Sequence, residues 1–388
     1  MTEHHTLTRH RRVQPLAHVP AQSENTVPLF WPLELGAAIA RGEVDLITQG
    51  LKTLAEAEKL EFGLKPEFAT PNKIVMELHT MRLRDFSRGV RDDEVPTLID
   101  APYAGHTAVI ADFYSGQSLV QTLLANGVSR VFVTDWKSAT LEMKDYDIDN
   151  YLAEINVCVD ELGGRVNFVG LCQGGWISAM YAARFPHKVR SLVLAGAPID
   201  TDAGNGPIKR MAHELPLSDY QELIVLGGGL MRGIYMLEAW KNMHPGQQYF
   251  RKYVDLYEHI DDPAYVRKEE AFESWYENPI DLPGRWYLQA VKELFKENRL
   301  VNGAFKALGK RLSLKNVTCP VYLLAGADDD ITTKEQVFNA ERYLGTAKEQ
   351  VAKALVPGGH IGLFMGARTL HDHWPSIARW VARAEGPV

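Results

Sequence analysis

Residues 166–176 constrain this chain more tightly than any other stretch. Residues 166–169 form an apolar run, Gly170-Leu171-Cys172-Gln173-Gly174 is a tight small-residue turn, and residues 176–184 have a helical composition. Strand, sharp turn and helix in that order make a nucleophile elbow, with cysteine where serine is more usual. A side chain at the tip of such a turn sits on a strained backbone, so the positions two before and two after must be small. Glycine has no Cβ to clash there, and Gly175 lets the helix lie close to the strand. By chance, G-x-C-x-G arises in about 2 % of chains with this cysteine and glycine content, which favours an elbow over a small turn beside a buried cysteine. The pattern predicts covalent acyl chemistry at a thiol.

The 388 residues exceed one typical domain, but an α/β core carrying a large insertion accounts for them. A net charge of −7 provides no basic field for nucleic acid. Three cysteines, an odd number, point to a reducing compartment rather than a disulfide framework. Residues 1–27 are polar, with His4, His5, Arg11 and Arg12 and no apolar centre, and read as a flexible tail rather than a signal peptide or anchor. These features predict a cytoplasmic protein with no integral membrane segment.

Residues 28–95 read as a helical extension, with one helix over 29–62 and another over 74–88. A β/α alternation begins at Pro96. Strands are expected at 97–99, 130–134, 166–169 and 189–194, with helices at 116–124 and 149–162; Asp147 or Asp149 caps the second. Strands separated by helices indicate a parallel sheet with right-handed crossovers. The alternation stops near Ala197-Pro198 and resumes at 317–325. The residues between are rich in helical spacing and aromatics, among them Tyr220, Tyr235, Trp240, Trp275, Tyr276 and Trp286. The reading is an α/β-hydrolase fold: a mostly parallel, doubly wound sheet with an aromatic-rich helical lid inserted after the fourth core strand. Residues 96–198 and 316–388 form the core and 199–315 the lid. Most of the aromatics are expected to pack the lid's own interior and a minority to line an apolar cleft.

In this fold the chain order is nucleophile, acid, histidine. The strand ending at residue 325 runs into Gly326-Ala327-Asp328-Asp329-Asp330-Ile331, which places the acid at Asp329, with Asp328 and Asp330 one residue away. The run Leu355-Val356-Pro357-Gly358-Gly359-His360-Ile361-Gly362 supplies a histidine in a glycine-rich loop, and His360 is the expected base. A helix N-terminus and a nearby imidazolium both stabilise negative charge on the Cys172 sulfur. His360 takes the thiol proton and later activates water or an alcohol, while Asp329 fixes the imidazole tautomer. The oxyanion needs two backbone donors, Gln173 N–H and one from the loop at 103–106, which includes Gly105 and His106. His106 reads either as an oxyanion or substrate contact or as a residue that orders the turn. Cys158 and Cys319 read as structural, and Gly227-Gly228-Gly229 as a hinge. His371-Asp372-His373 lacks metal-site spacing, and no glycine-rich phosphate loop is present, so neither metal nor cofactor is expected.

From about Pro96 onward these residues resemble the intracellular polyhydroxyalkanoate depolymerases and the related polyhydroxyalkanoate synthases, both α/β-hydrolase relatives with a Cys-Asp-His triad. Similarity to the depolymerases lies in Pro102-x-x-Gly105-His106, Thr134-Asp135-Trp136-x-x-Ala139, Asp281-Leu282-Pro283 with Tyr287-Leu288-Gln289, Gly326-x-x-Asp329-Asp330-Ile331 and Gly359-His360-Ile361-Gly362-Leu363-Phe364-x-Gly366. Similarity to the synthases lies in Gly170-x-Cys172-x-Gly174-Gly175, Glu297-Asn298-x-Leu300 and Pro357-Gly358-Gly359-His360-Ile361. The chain lacks the Gln-Pro that follows the depolymerase cysteine and the Asn-Arg-Pro-Tyr-like loop of the synthases. The resemblance implies a triad of Cys172, Asp329 and His360 acting on a 3-hydroxyalkanoate polyester or 3-hydroxyacyl substrate. It also implies association with a polyester granule and leaves a homo-oligomer open. The Gly105-His106 loop and the Thr-Asp-Trp stretch favour hydrolysis through a 3-hydroxyacyl-cysteine. Polymerisation of 3-hydroxyacyl-CoA is the alternative, and a general esterase or thioesterase and a non-catalytic granule protein are weaker ones.

Overall fold

The computed structural model describes residues 52, 53, 55–57, 65–89, 94–243 and 252–383. The tail expected at 1–27 lies outside them, as does nearly all of the helix expected at 29–62; residues 52, 53 and 55–57 of that helix are helical.

Eight strands build the main sheet: β1 (Lys73–Glu77), β2 (Met81–Asp85), β3 (Thr97–Asp100), β4 (Val131–Trp136), β5 (Val166–Leu171), β6 (Val189–Ala195), β7 (Val321–Gly326) and β8 (Val351–Val356). Their spatial order is β1-β2-β4-β3-β5-β6-β7-β8. Pairing is parallel from β4 through to β8, and β2 runs antiparallel to both β1 and β4. This order, with one antiparallel strand near the edge, is the α/β-hydrolase arrangement expected from the sequence. Strands β3, β4 and β5 are buried at every position, because helices cover both faces of the parallel part.

Residues 74–88 correct the sequence reading, since they form the β1–β2 hairpin rather than a helix. Pairing with β4 gives β2 a buried face at Met81 and Leu83, while Arg82 and Arg84 turn to the other side. Arg84 is held by Asp135 of β4 at 2.7 Å. The sheet therefore begins at Lys73, before the alternation that starts at Pro96.

Helices α1 (Leu119–Ala125), α2 (Ile148–Glu161) and α3 (Gln173–Arg184) follow β3, β4 and β5. Asp147, not Asp149, caps α2, in a reciprocal capping box with Asn150. The Asp149 carboxylate instead accepts the Leu308 N–H at 2.9 Å.

Between β6 and β7 lie α4 (Pro207–Glu214), α5 (Leu217–Leu226), α6 (Gly233–Met243), α7 (Lys252–Glu258), α8 (Pro263–Tyr276) and α9 (Gly284–Gln289), the last continuing into a π-helical turn at Ala290–Lys296. Trp286 of α9 docks this insertion on the core. It is fully buried, with ring centroids 5.3 Å from Tyr103, 5.7 Å from Trp176 and 5.8 Å from Tyr151. Among the described residues no helix is long and apolar enough to cross a membrane.

Candidate active site

Strand β5 delivers the elbow as its sequence requires. Cys172 lies between β5 and α3 with φ 50° and ψ −115°, a left-handed conformation for a non-glycine residue. Such a backbone costs on the order of 1–3 kcal/mol and persists only where its surroundings over-determine it. Here they do. A Cβ on Gly170 would come within 2.5 Å of the Gly175 Cα, and one on Gly174 within 1.9 Å of the Asp100 carbonyl oxygen. One on Gly175 would lie 2.3 Å from the Ala197 Cβ. The Cys172 N–H donates to the Ala195 carbonyl at 2.9 Å, which ties the turn to β6.

Strand β7 ends at Gly326, and three residues on Asp329 is buried. Its Oδ1 accepts the N–H groups of Ile331 at 3.0 Å and Thr332 at 2.8 Å, which leaves Oδ2 to meet His360 Nδ1 at 2.7 Å. Asp328 is turned elsewhere, with its carboxylate 3.3 Å from the Gly358 N–H. His360 and Cys172 border the same cavity. Burial opposes a charged imidazole, but Cys172 and Asp329 outweigh it and hold the His360 pKa well above the usual histidine range. Gly196, at φ +55°, makes room for the ring, since a Cβ there would sit 3.2 Å from its Cε1.

A cavity of about 340 Å³ lies against these residues. Cys172, Gln173, His360, Pro102, Ala104 and His106 border it from the core, while Trp240, Met243, Trp275, Tyr276 and Phe295 reach it from the insertion. Of the aromatics in the insertion, a few thus line the cleft, whereas Trp286 packs inward.

Gly105 does not border the cavity. At φ +92° it packs on Met236, and its carbonyl accepts the Ile280 N–H at 2.7 Å, so the insertion holds the loop at this residue. His106 both reaches the cavity and orders the loop. Its ring lies 4.6 Å from Trp275 and 5.4 Å from Tyr276, and its Nε2 is 2.9 Å from the Tyr276 carbonyl oxygen. A carbonyl only accepts, so Nε2 carries the proton. Burial, partly countered by that bond and by Glu277, pulls the His106 pKa down to about 4, and the ring is neutral at pH 7.

Cys158 and Cys319 are buried away from this site, and burial pushes the thiol pKa of each up to about 12, as befits structural residues. Sequence reasoning missed Asp100. Buried at the end of β3, it accepts the Ser178 hydroxyl of α3 at 3.0 Å and the Thr134 hydroxyl of β4 at 3.1 Å. Burial, partly offset by these bonds, pushes its pKa up to about 8. A carboxylate at the buried end of an apolar strand was the available signal.

Several residues that carried the depolymerase resemblance prove to be docking contacts. The Trp136 indole N–H donates to the Ala101 carbonyl at 2.8 Å, and the Ala139 N–H donates to the Asp281 carbonyl at 2.9 Å. Gln289 accepts the Ile148 N–H at 3.0 Å. They fasten the insertion and the loop to the sheet, and none of them borders the cavity.

Strand order and elbow together define an α/β-hydrolase-fold protein with cysteine at the elbow tip. Residues 79–367 match the family described as "Protein of unknown function (DUF3141)", and the chain belongs to that family. It is also similar to proteins named poly(3-hydroxyalkanoate) polymerase subunit PhaC. The one from Thiocystis violacea is 27 % identical over 346 residues, covering 86 % of this chain and 92 % of that protein. The one from Allochromatium vinosum is 26 % identical over 347 residues, 86 % of this chain and 93 % of that protein. The one from Haloferax mediterranei is 28 % identical over 325 residues, covering 81 % of this chain and 64 % of that protein.

Proposed function

We propose that the chain is an acyltransferase that passes 3-hydroxyacyl groups through Cys172 and polymerises a 3-hydroxyacyl thioester such as 3-hydroxyacyl-CoA. The observation that carries this reading is the strained Cys172 facing a buried His360–Asp329 pair over an apolar cavity. Kinship with named polymerases over most of the chain supports transfer over hydrolysis, which the sequence had favoured. Two of the features behind that preference, the Gly105-His106 loop and the stretch from Thr134 to Ala139, have docking contacts of their own and carry less weight for direction.

In this mechanism the Cys172 sulfur attacks the thioester carbonyl while His360 holds the thiol proton. The tetrahedral oxyanion is met by the Gln173 N–H and by a backbone N–H of the loop beside the cavity, where Ala104 and His106 each carry one. Collapse expels the CoA sulfur, which leaves with the proton from His360, and an acyl-Cys172 thioester remains. A chain-end hydroxyl then gives its proton to His360 and attacks the acyl carbon, forming the new ester and freeing the sulfur. The inserted helices act as a lid that keeps water from competing with that hydroxyl.

Purified protein incubated with 3-hydroxybutyryl-CoA should release CoA and accumulate polyester. It should free little acid from amorphous 3-hydroxybutyrate polymer. Acid release from polymer without CoA release would reverse the assignment to hydrolysis.

A further inference from the structure

After α9 the chain winds as a π-helix over Ala290–Lys296, a form that is rare and concentrates at functional sites. The Glu297 N–H reaches back five residues to the Lys292 carbonyl at 3.0 Å. An extra residue in the helical register turns each later side chain by about 100° from its α-helical direction. Of the seven residues in this turn, Phe295 borders the cavity over Cys172. The turn is fastened on both sides. The buried Thr201 hydroxyl donates to the Leu294 carbonyl at 2.6 Å. Asn298, buried at φ 45°, donates its amide to Asp200 at 2.8 Å. Asp200 in turn accepts the Asn339 amide at 2.9 Å and the Tyr343 hydroxyl at 3.1 Å, both beyond β7 in the core. Lys296 donates to the Leu215 carbonyl at 2.6 Å, just past α4, whose Ile208 also borders the cavity.

We propose that Phe295 determines acyl specificity by limiting the length of the tail that the cavity admits, which favours short 3-hydroxyacyl groups of four or five carbons. The inference rests on the acyl-cysteine reading above and deepens it. At about 340 Å³ the cavity lies at the small end of ligand pockets, and it must hold the reacting carbonyl and the incoming hydroxyl as well as the tail. The wall at Phe295 does not retreat freely, because shifting the turn breaks the bonds made by Thr201, Lys296 and Asn298. A longer tail therefore meets an aromatic ring on a fixed backbone. A methylene more or less in an apolar pocket changes selectivity by about tenfold or more.

Binding to the Cys172→Ala protein tests this without turnover, read by tryptophan fluorescence since Trp240 and Trp275 border the cavity. The ligands are the N-acetylcysteamine thioesters of 3-hydroxybutyrate and 3-hydroxyoctanoate. The short ligand should bind about tenfold more tightly than the long one, against the trend of apolar area. Adding Phe295→Ala should reverse the order, because the longer tail then enters the vacated space. Each ratio is taken on one protein, so a loss of folded molecules cancels, and the milder Phe295→Leu should move it the same way by less. Equal or tighter binding of the long ligand while Phe295 is in place would overturn the inference. A ratio that neither substitution moves would overturn it as well. The acyl-transfer reading is judged separately, by CoA release from 3-hydroxybutyryl-CoA with Cys172 in place.

Discussion

The backbone of the elbow that carries Cys172 is packed so closely that its glycines have no room for a Cβ, whereas the helices inserted between β6 and β7 are tied together by buried charge. At the elbow, Gly170, Gly174 and Gly175 each face other atoms at distances no Cβ could tolerate. In the insertion, Lys252 of α7 lies 2.7 Å from Glu273 and 3.2 Å from Glu277, and Lys241 of α6 lies 2.7 Å from Glu277. Packing of the first kind fixes a backbone within tenths of an ångström. A buried ion cluster adds little net stability, but it penalises any arrangement that separates its members. The sulfur is therefore placed by the sheet, and the insertion's share of the cavity wall is placed by helices held at their charges. Chemistry and selectivity are separable in such a design.

The largest effect should come from the sheet side. Cys172→Ala removes the nucleophile and should lower acyl transfer by about 10³-fold or more, with thermal unfolding little changed. Retained turnover would break the assignment. Asp329→Asn sharpens it: because Asp329 helps hold the His360 pKa above its usual range, the alkaline limb of the pH–rate profile should move to lower pH. A limb that stays put would mean that another group titrates there.

A change in the insertion should act on stability. Lys252→Met leaves Glu273 without its cation and Glu277 with Lys241 alone, and should destabilise α7 and α8 by about 3–5 kcal/mol. Hydrogen exchange should quicken in residues 252–276 and stay slow in β5 and α3. Uniform quickening would show that the two regions unfold as one.

The smallest effect concerns Asp100 beneath the elbow. Its folded pKa is raised from 3.8 to about 8, so the neutral form is favoured in the native state. Its contribution to stability is complete at pH below 3.8 and is lost as pH climbs through 8. Asp100→Asn should flatten that part of the stability–pH curve, as followed by urea unfolding. An unaltered slope would place the titration elsewhere.

The parts legible in the sequence were those whose chemistry is local. Gly-x-Cys-x-Gly after an apolar run, an aspartate past a strand end and a histidine in a glycine loop each state their own backbone requirement, and the structure brings Cys172, Asp329 and His360 together. The buried strands β3 to β6 announced themselves as short apolar runs. The β1–β2 hairpin did not. Residues 74–76 are contiguous apolar residues that fit a helical face, and the period-two signal in Met81-Arg82-Leu83-Arg84 is too short to outvote them. Only the neighbour, β4, decides that these residues extend, because pairing with it gives Met81 and Leu83 a buried face.

The sequence alone thus determined the order of the chemical groups and the α/β scaffold, since spacing and small-residue demands are written along the chain. The tertiary structure decided which polar groups meet the cavity. It turned Gly105 towards Met236, stacked a neutral His106 on Trp275 and Tyr276, sank Asp100 under the elbow and left the Gln173 amide oxygen facing no donor. Those outcomes depend on partners 34 and 78 residues away for Asp100 and more than a hundred away for Gly105 and His106, or on what a distant segment fails to supply, and no local pattern encodes either.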